Sequence, residues 1–370
     1  MVFVPDFIGS RSYTMGVELE LQLLDPVTLN LVPAAGRVLD NVPEMMQKRI
    51  KPEFIQSMVE VATGVCEDIN EVEEDLRESL ASLTDLCGQS GCMFFASSLH
   101  PFARYQDQLL TPGERYAALM AELQIAGRRM ISQGLHVHIG LPDGETAIRV
   151  CDAIRPYLPL LLAMTTSSPY FGNVDTGYAS YRSRLLDGLS RSGLPYTFRT
   201  WDRFRELITD LHRAHLITDV RDIWWDVRPH PDFGTVEIRI CDLPVRFTEI
   251  SAVAALIQAL VKTLAETTFL PTFPRLEIIN NNKWQAARYG IDGRYVDLER
   301  VSVPLTIREA IVDLLAKVRQ SSELLGTSAR LNGIYEILVH GTGSMKMRTV
   351  YDRCKDHHQV IRTLAGDFFN

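Results

Sequence analysis

The chain has 370 residues, 46% of them hydrophobic, with a formal net charge of −8 and a pI near 5.6. That is enough apolar sequence for a substantial core, and the acidic balance excludes the basic stripe of a nucleic-acid interface. The N-terminus has no basic-then-apolar leader, and the most apolar windows, residues 157–164 and 252–260, are too short to cross a membrane, so no membrane partner is expected either.

In chain order, residues 13–24 read as the first strand. They contain Gly16-Val17-Glu18-Leu19-Glu20-Leu21, in which apolar and ionised residues alternate. Strand geometry puts Glu18 and Glu20 on one face, where two carboxylates repel unless water or a cation separates them. The same pair also suits a solvated edge strand. Residues 34–48 read as a short amphipathic helix. Residues 53–63 read as the second strand, with Glu60 between apolar neighbours and Glu53 near its start. Their odd spacing puts them on opposite faces of a regular strand, so a bulge or turn is needed to bring both to one site; otherwise they pair with Arg49 or Lys51. Asn70 and Glu73 have capping-box spacing at the start of a helix over 70–87. A third strand is expected over 92–98, then a helix from Pro112 to about residue 131.

The fourth strand, 135–141, includes Leu135-His136-Val137-His138-Ile139. His136 and His138 share a face. They suit either a hard cation such as Mg²⁺ or Mn²⁺, or core positions bonded to backbone. A helix over 145–167, bent at Pro156 and Pro159, follows. Residues 168–199 form the longest irregular stretch, rich in glycine and carrying Tyr181-Arg182-Ser183-Arg184, and read as a binding loop and candidate lid. Two more strands are expected at 223–228 and 235–242. In the last, Glu237 and Arg239 share a face, as a cross-strand ion pair or as a cation ligand beside a phosphate-binding arginine. After Asp242 the chain turns helical, over 251–267, 307–325, 329–340 and 349–364. Lys283 and Arg288, in Asn282-Lys283-Trp284-Gln285-Ala286-Ala287-Arg288-Tyr289-Gly290, belong to a basic helix face or contact phosphates.

Strands separated irregularly by helices favour an α+β fold with a mostly antiparallel sheet. One domain over 1–370 is expected, with sheet and site mainly in 13–242 and a helical part over 251–370. Cys66, Cys87, Cys92, Cys151, Cys241 and Cys354 make no Cys-x-x-Cys pair and read as reduced thiols of a cytoplasmic chain. No phosphate-binding glycine loop and no Gly-x-Ser-x-Gly elbow occurs, so a bound nucleotide would rest on metals and side chains.

Taken together, these segments resemble the bacterial carboxylate–amine ligase family, also called glutamate–cysteine ligase type 2. The resemblance runs from Tyr13–Glu20 through Gly134–Gly140, Ser168-Pro169-Tyr170, Trp225-Asp226-Val227-Arg228-Pro229 and Phe233–Arg239 to Ala287-Arg288-Tyr289-Gly290. It implies a catalytic fold like that of glutamine synthetase and the guanido kinases, with helices on one side of the sheet. By position it makes Glu18, Glu20, Glu53, Glu60, His136 and Glu237 metal ligands. Arg239, with Glu237, is then catalytic and touches phosphate, Lys283 and Arg288 are further nucleotide contacts, and Arg182 and His138 hold substrate. The implied cofactors are ATP and Mg²⁺ or Mn²⁺. The implied substrates are a glutamate-like carboxylate and an amine, joined through an acyl phosphate, with glutamate–cysteine ligation a weak activity. A homodimer or larger homo-oligomer is also implied. The competing readings are a phosphotransferase on the same fold, a metal-dependent amide hydrolase without ATP, and a non-catalytic binding protein.

Overall fold

The protein is described by a computed structural model over residues 6–267, 275–297 and 304–370. Its main sheet has seven strands: β1 (Met15–Leu24), β2 (Ile50–Pro52), β3 (Met58–Ala62), β4 (Met93–Phe95), β5 (Leu135–Gly140), β6 (Val227–His230) and β7 (Thr235–Ile238). The order is β6-β7-β5-β1-β3-β2, with every pairing antiparallel, and β4 joins the far half of β1 beyond the end of β5. This is the expected α+β architecture.

The two faces of the sheet follow from period-two alternation. Val17, Leu19, Leu21 and Leu23 on β1, Val59 and Val61 on β3, and Val137 and Ile139 on β5 are all at most 1% exposed. Helices Ile69–Gln89, Gly144–Ile154 and Phe247–Glu266 lie against this apolar face, with Ile307–Leu324 and Asn332–His340 packed outside Phe247–Glu266. Phe247–Glu266 is long and apolar enough to cross a membrane, but 83% of its most apolar window is buried within the molecule. It forms the spine of the helical layer. The long helices lie behind the sheet, and the ionised face is left as the floor of a cavity whose other walls include the shorter helices Glu114–Leu123 and Tyr181–Leu186.

Several elements differ from the sequence expectation. Residues 53–63 are not one strand: β2 ends at Pro52, which offers no N–H to a ladder, and a turn over 53–57 precedes β3. The N-cap of the long helix lies two residues earlier than expected, at Asp68, which accepts from Asn70 N at 2.7 Å and Glu71 N at 3.1 Å. A carboxylate suits the positive end of a helix better than an amide does. Glu73 instead holds Arg330 at 2.6 Å. The helix from Pro112 breaks at Gln124, whose φ is 49°. Residues 34–48 supply only the helix Ala35–Leu39 and one 3-10 turn. The helix Trp201–Arg213 is not expected from sequence, although it has a readable cap, Thr200 Oγ1 accepting from Arg203 N at 3.3 Å, whereas the helix Leu276–Tyr289 contains the basic segment that reads as a helix face.

Residues 168–199 are not a free loop. Asp242 is fully buried at the end of the strand region and takes Ser167 N at 3.0 Å, Ser168 Oγ at 2.7 Å and Ser180 Oγ at 2.8 Å. These bonds lock the segment, with its short helix Tyr181–Leu186, to the sheet as a fixed wall. Asp242→Ala would strand three buried donors and should cost about 3 kcal/mol in urea unfolding; a loss below about 1 kcal/mol would show that the wall is held elsewhere.

His100 has a second structural role. Its Nε2 is 2.8 Å from the Leu29 carbonyl, while Nδ1 accepts from Ala103 N at 3.0 Å, which fixes a neutral ring. Burial pushes its pKa from 6.5 down to about 4. Between those values the unfolded chain takes up a proton that the folded chain refuses, so stability falls as pH drops through that window, by up to about 3 kcal/mol. His100→Gln, though less stable at pH 7, should lose less between pH 7 and 4; equal losses in both chains would exclude His100 as the source.

Candidate active site

Register brings the ionised residues together on the face opposite the helices. Glu18 sits across from His136, and Gly16 across from His138. His138 in turn faces Glu237, and Glu237 faces Arg228. On the other side of β1, Glu20 is paired with Glu60, and Glu60 with Lys51. Glu53 enters from the β2–β3 turn, so the turn supplies the change of face that a regular strand denies it. These residues line one cavity of about 450 Å³.

Two glycines make this possible. At Gly134 a Cβ would lie 2.3 Å from Arg182 Nη2, so glycine lets that guanidinium lie over the sheet, while Gly134 N donates to Glu20 Oε2 at 2.6 Å. Gly234, at φ 64°, turns the β6–β7 hairpin where a Cβ would strike the Ile8 carbonyl.

The charges divide into two groups. In the first, Glu237 is 1% exposed, and burial alone would raise its pKa, but Arg228 and Arg239 hold it well below the usual carboxylate range. Arg228 Nε reaches Glu237 Oε2 at 2.6 Å, and Arg239 Nη1 bonds the other oxygen. Glu18 is half-buried, which by itself would raise its pKa, yet the imidazoles of His136 and His138, 3.4 and 3.6 Å from its carboxylate, hold it well below the usual range. Ligand atoms of Glu18, His138 and Glu237 lie within 4.8 Å of one another. His138 Nε2 is buried without a hydrogen-bond partner, 3.6 Å from Glu18 Oε1 and 3.8 Å from Glu237 Oε1. Two carboxylate oxygens and an orphan imidazole nitrogen fit a hard or borderline divalent cation.

In the second group, burial first and then the charges of Glu20 and Glu60 push Glu53 well above its ordinary pKa. Glu60 is raised by burial and Glu18, against the opposing effect of Lys51, whose Nζ bonds it at 2.9 Å. One ammonium does not balance three crowded carboxylates, and a cation among Glu20, Glu53 and Glu60 would relieve them.

Glu18, Glu20, Glu53, Glu60, His136, His138, Arg182, Glu237 and Arg239 are thus all brought to the cavity. Lys283 and Arg288 are not. Lys283 Nζ lies behind the wall on Asp226 at 2.7 Å and Asp187 at 2.8 Å, a buried ion pair that fixes the Leu276–Tyr289 helix. Arg288 bonds the Gly177 carbonyl and lies over the Tyr289 ring. Sequence reasoning gave no role to Arg228, whose place beside Glu237 is set by the register of two paired strands. It also missed His230 and Phe233, whose rings stack 4.1 Å apart on the hairpin.

Mn²⁺ or Mg²⁺ at about 100 times its dissociation constant should stabilise the chain by about 2.7 kcal/mol. Glu53→Gln should raise the melting temperature without metal, by removing crowded charge, and shrink the metal-induced gain. No melting shift with either ion would contradict a cation site here.

Comparison with known proteins agrees with this geometry. Residues 14–365 match the family described as "Glutamate-cysteine ligase family 2(GCS2)". A protein named "Putative glutamate--cysteine ligase 2" from Gloeobacter violaceus is 38% identical, covering 97% of this chain and 98% of its own length. One of the same name from Thermobifida fusca is 37% identical, covering 98% and 92%. Among solved structures, a glutamate–cysteine ligase of Francisella tularensis in complex with AMP superposes with a TM-score of 0.69 at 14% identity, over 98% of this chain and 89% of that one. A bifunctional glutathione synthetase from Pasteurella multocida gives 0.71 at 14% identity, over 96% of this chain and 52% of that one. At that identity the structures speak to fold, whereas the sequence relatives and the near-complete family match fix kinship: the chain belongs to glutamate–cysteine ligase family 2 and is an enzyme of the carboxylate–amine ligase kind.

Proposed function

We propose that the chain joins a glutamate-like carboxylate to an amine at the expense of ATP, through an acyl phosphate. The observation that carries this reading is the imbalance of charge on the cavity face. Of the cavity carboxylates, Lys51 bonds Glu60, and Arg228 and Arg239 bond Glu237, which leaves Glu18, Glu20 and Glu53 for bound cations. The AMP bound to the Francisella tularensis ligase of the same fold supports an adenine nucleotide as the partner.

The chemistry follows from a poor leaving group. A carboxylate does not exchange its oxygen for an amine directly. When the carboxylate oxygen attacks the γ-phosphorus of ATP, ADP departs and an acyl phosphate forms. The amine nitrogen then attacks the acyl carbon, loses a proton, and inorganic phosphate leaves carrying the former carboxylate oxygen. Divalent cations held by Glu18, His138 and Glu237, and by Glu20, Glu53 and Glu60, would supply the countercharge that lets an anion approach a polyphosphate.

The remaining roles belong to the chain. Arg228 keeps Glu237 ionised and in place, so the ligand is preorganised before anything binds. Arg239 is anchored through Nη1 on Glu237 and lines the cavity, where its positive charge offsets charge on the transferring phosphoryl group. Arg182 is 3% exposed and lies over Gly134 to hold a substrate carboxylate. The locked wall over 168–199 shields an intermediate that water would destroy.

ADP release from Mg-ATP and glutamate should rise when a suitable amine is added, and Glu18→Gln or Glu237→Gln should lower it by about 100-fold or more, the scale of lost electrostatic stabilisation. ADP formed with an acceptor but no amide would mark a phosphotransferase instead. Amide cleavage without ATP would mark a hydrolase.

A further inference from the structure

The helix Glu114–Leu123 is unusual in having no buried residue, although it carries an apolar stripe of Tyr116, Leu119 and Leu123 at i, i+3 and i+7. Such a stripe normally faces a core. Here it lines the cavity, with Met130, Leu186 and Leu189 on the other boundary. The helix is held at its ends: Arg115 lies 3.5 Å from Asp222, Glu122 accepts from Arg191 at 2.8 Å, and the Tyr116 ring meets Phe54 at 5.8 Å. An aliphatic wall facing a polar, cation-binding floor implies a ligand with an apolar part.

A second observation defines the ligand's other end. Arg182 is almost fully buried, yet its Nε has no partner, and its Nη atoms reach only the Arg239 and Ile240 carbonyls at 3.4 Å. The nearest carboxylate, Asp242, is 3.9 Å away and already accepts three hydrogen bonds. A buried guanidinium so poorly paired at a cavity wall suits an incoming carboxylate.

The position along β1 separates this region from the nucleotide. Gly134, beneath Arg182, bonds Glu20, and Tyr116 meets edge-on the ring of Phe54, the residue after Glu53, so both lie at the Glu20 end of the strand. The stacked His230 and Phe233 lie at the opposite, Gly16 end, and Phe233 is 59% exposed, a flat surface suited to a base. The aliphatic wall is therefore left for substrate.

Building on the ligase reading, we propose that the amine substrate is an amino acid with an apolar side chain bulkier than that of cysteine. Its carboxylate rests on Arg182 and its side chain against Leu119, Leu123, Met130, Leu186 and Leu189. Its free amino group is the nucleophile that displaces phosphate.

The test uses two readouts on the full chain with Mg²⁺. Binding of glycine, alanine, cysteine, valine, leucine and phenylalanine is followed by fluorescence of Trp224 and Trp225, which line the cavity, in the presence of a non-hydrolysable ATP analogue. Turnover is followed by ADP release with glutamate and each amine. Affinity and kcat/KM should both rise through the series, by about fourfold per methylene at full burial. Leu123→Asn, on a helix with no buried residue and so compatible with the folded chain, should flatten the series. Isoamylamine, which is leucine without its carboxylate, should bind at least about tenfold more weakly, the worth of a charge-assisted contact. Ranking by apolar size in binding but no ADP with any amine would refute the ligase reading and leave the pocket standing. ADP release strongest with glycine or cysteine, with Leu123→Asn leaving the ranking unchanged, would overturn the pocket and leave the ligase reading standing. Binding that is flat across the series overturns the proposal whatever the turnover.

Discussion

The structure depends on an electrostatic conflict built into β1. Alternation places Glu18 and Glu20 side by side on one face, and the neighbouring strands add Glu60 and Glu237 to it, with Glu53 arriving from a turn. A fold that only needed to be stable would not crowd carboxylates at low exposure. Part of the conflict is settled internally: Arg228 and Arg239 neutralise Glu237, and the two histidines lie close enough to Glu18 to hold its pKa down. The rest is not settled within the chain, as the raised pKa of Glu53 shows. The unsettled part is where chemistry with polyanions is best placed.

The apolar face makes this arrangement affordable. Leu19, Leu21, Val59, Val61, Val137 and Ile139 bury completely beneath helices, and Phe247–Glu266 runs through the layer as a largely buried rod. The strain of the polar face is thus carried by a rigid platform and not by a loop. The walls are fixed separately, by Asp242 holding residues 167–180 and by Lys283 holding Asp226 and Asp187. By contrast, the helix Glu114–Leu123 rests on its end contacts over the cavity, which makes it the element best placed to adapt to what is bound.

Much of this is legible in the sequence because it is written in period two. Glu18/Glu20, His136/His138 and Glu237/Arg239 can each be assigned to a shared face before any pairing is known. What is not legible is cross-strand register, and with it Arg228, whose partner Glu237 lies nine residues away across a hairpin. Lys283 and Arg288 look like phosphate contacts because a basic cluster near a glycine is ambiguous without tertiary context; in the fold their charges are taken up by Asp226, Asp187 and a carbonyl. Asp68 takes the cap expected of Asn70 because a carboxylate two residues earlier satisfies two amides. Segment 168–199 reads as a loop because its order comes from Asp242, far along the chain.

The central claim is that this face activates a carboxylate by phosphorylation before an amine attacks it. The most direct measurement is turnover with a substrate whose carboxylate oxygens carry ¹⁸O, followed by mass analysis of the inorganic phosphate. An acyl phosphate transfers one labelled oxygen to each phosphate released. Phosphate that appears with amide but without label would contradict the account.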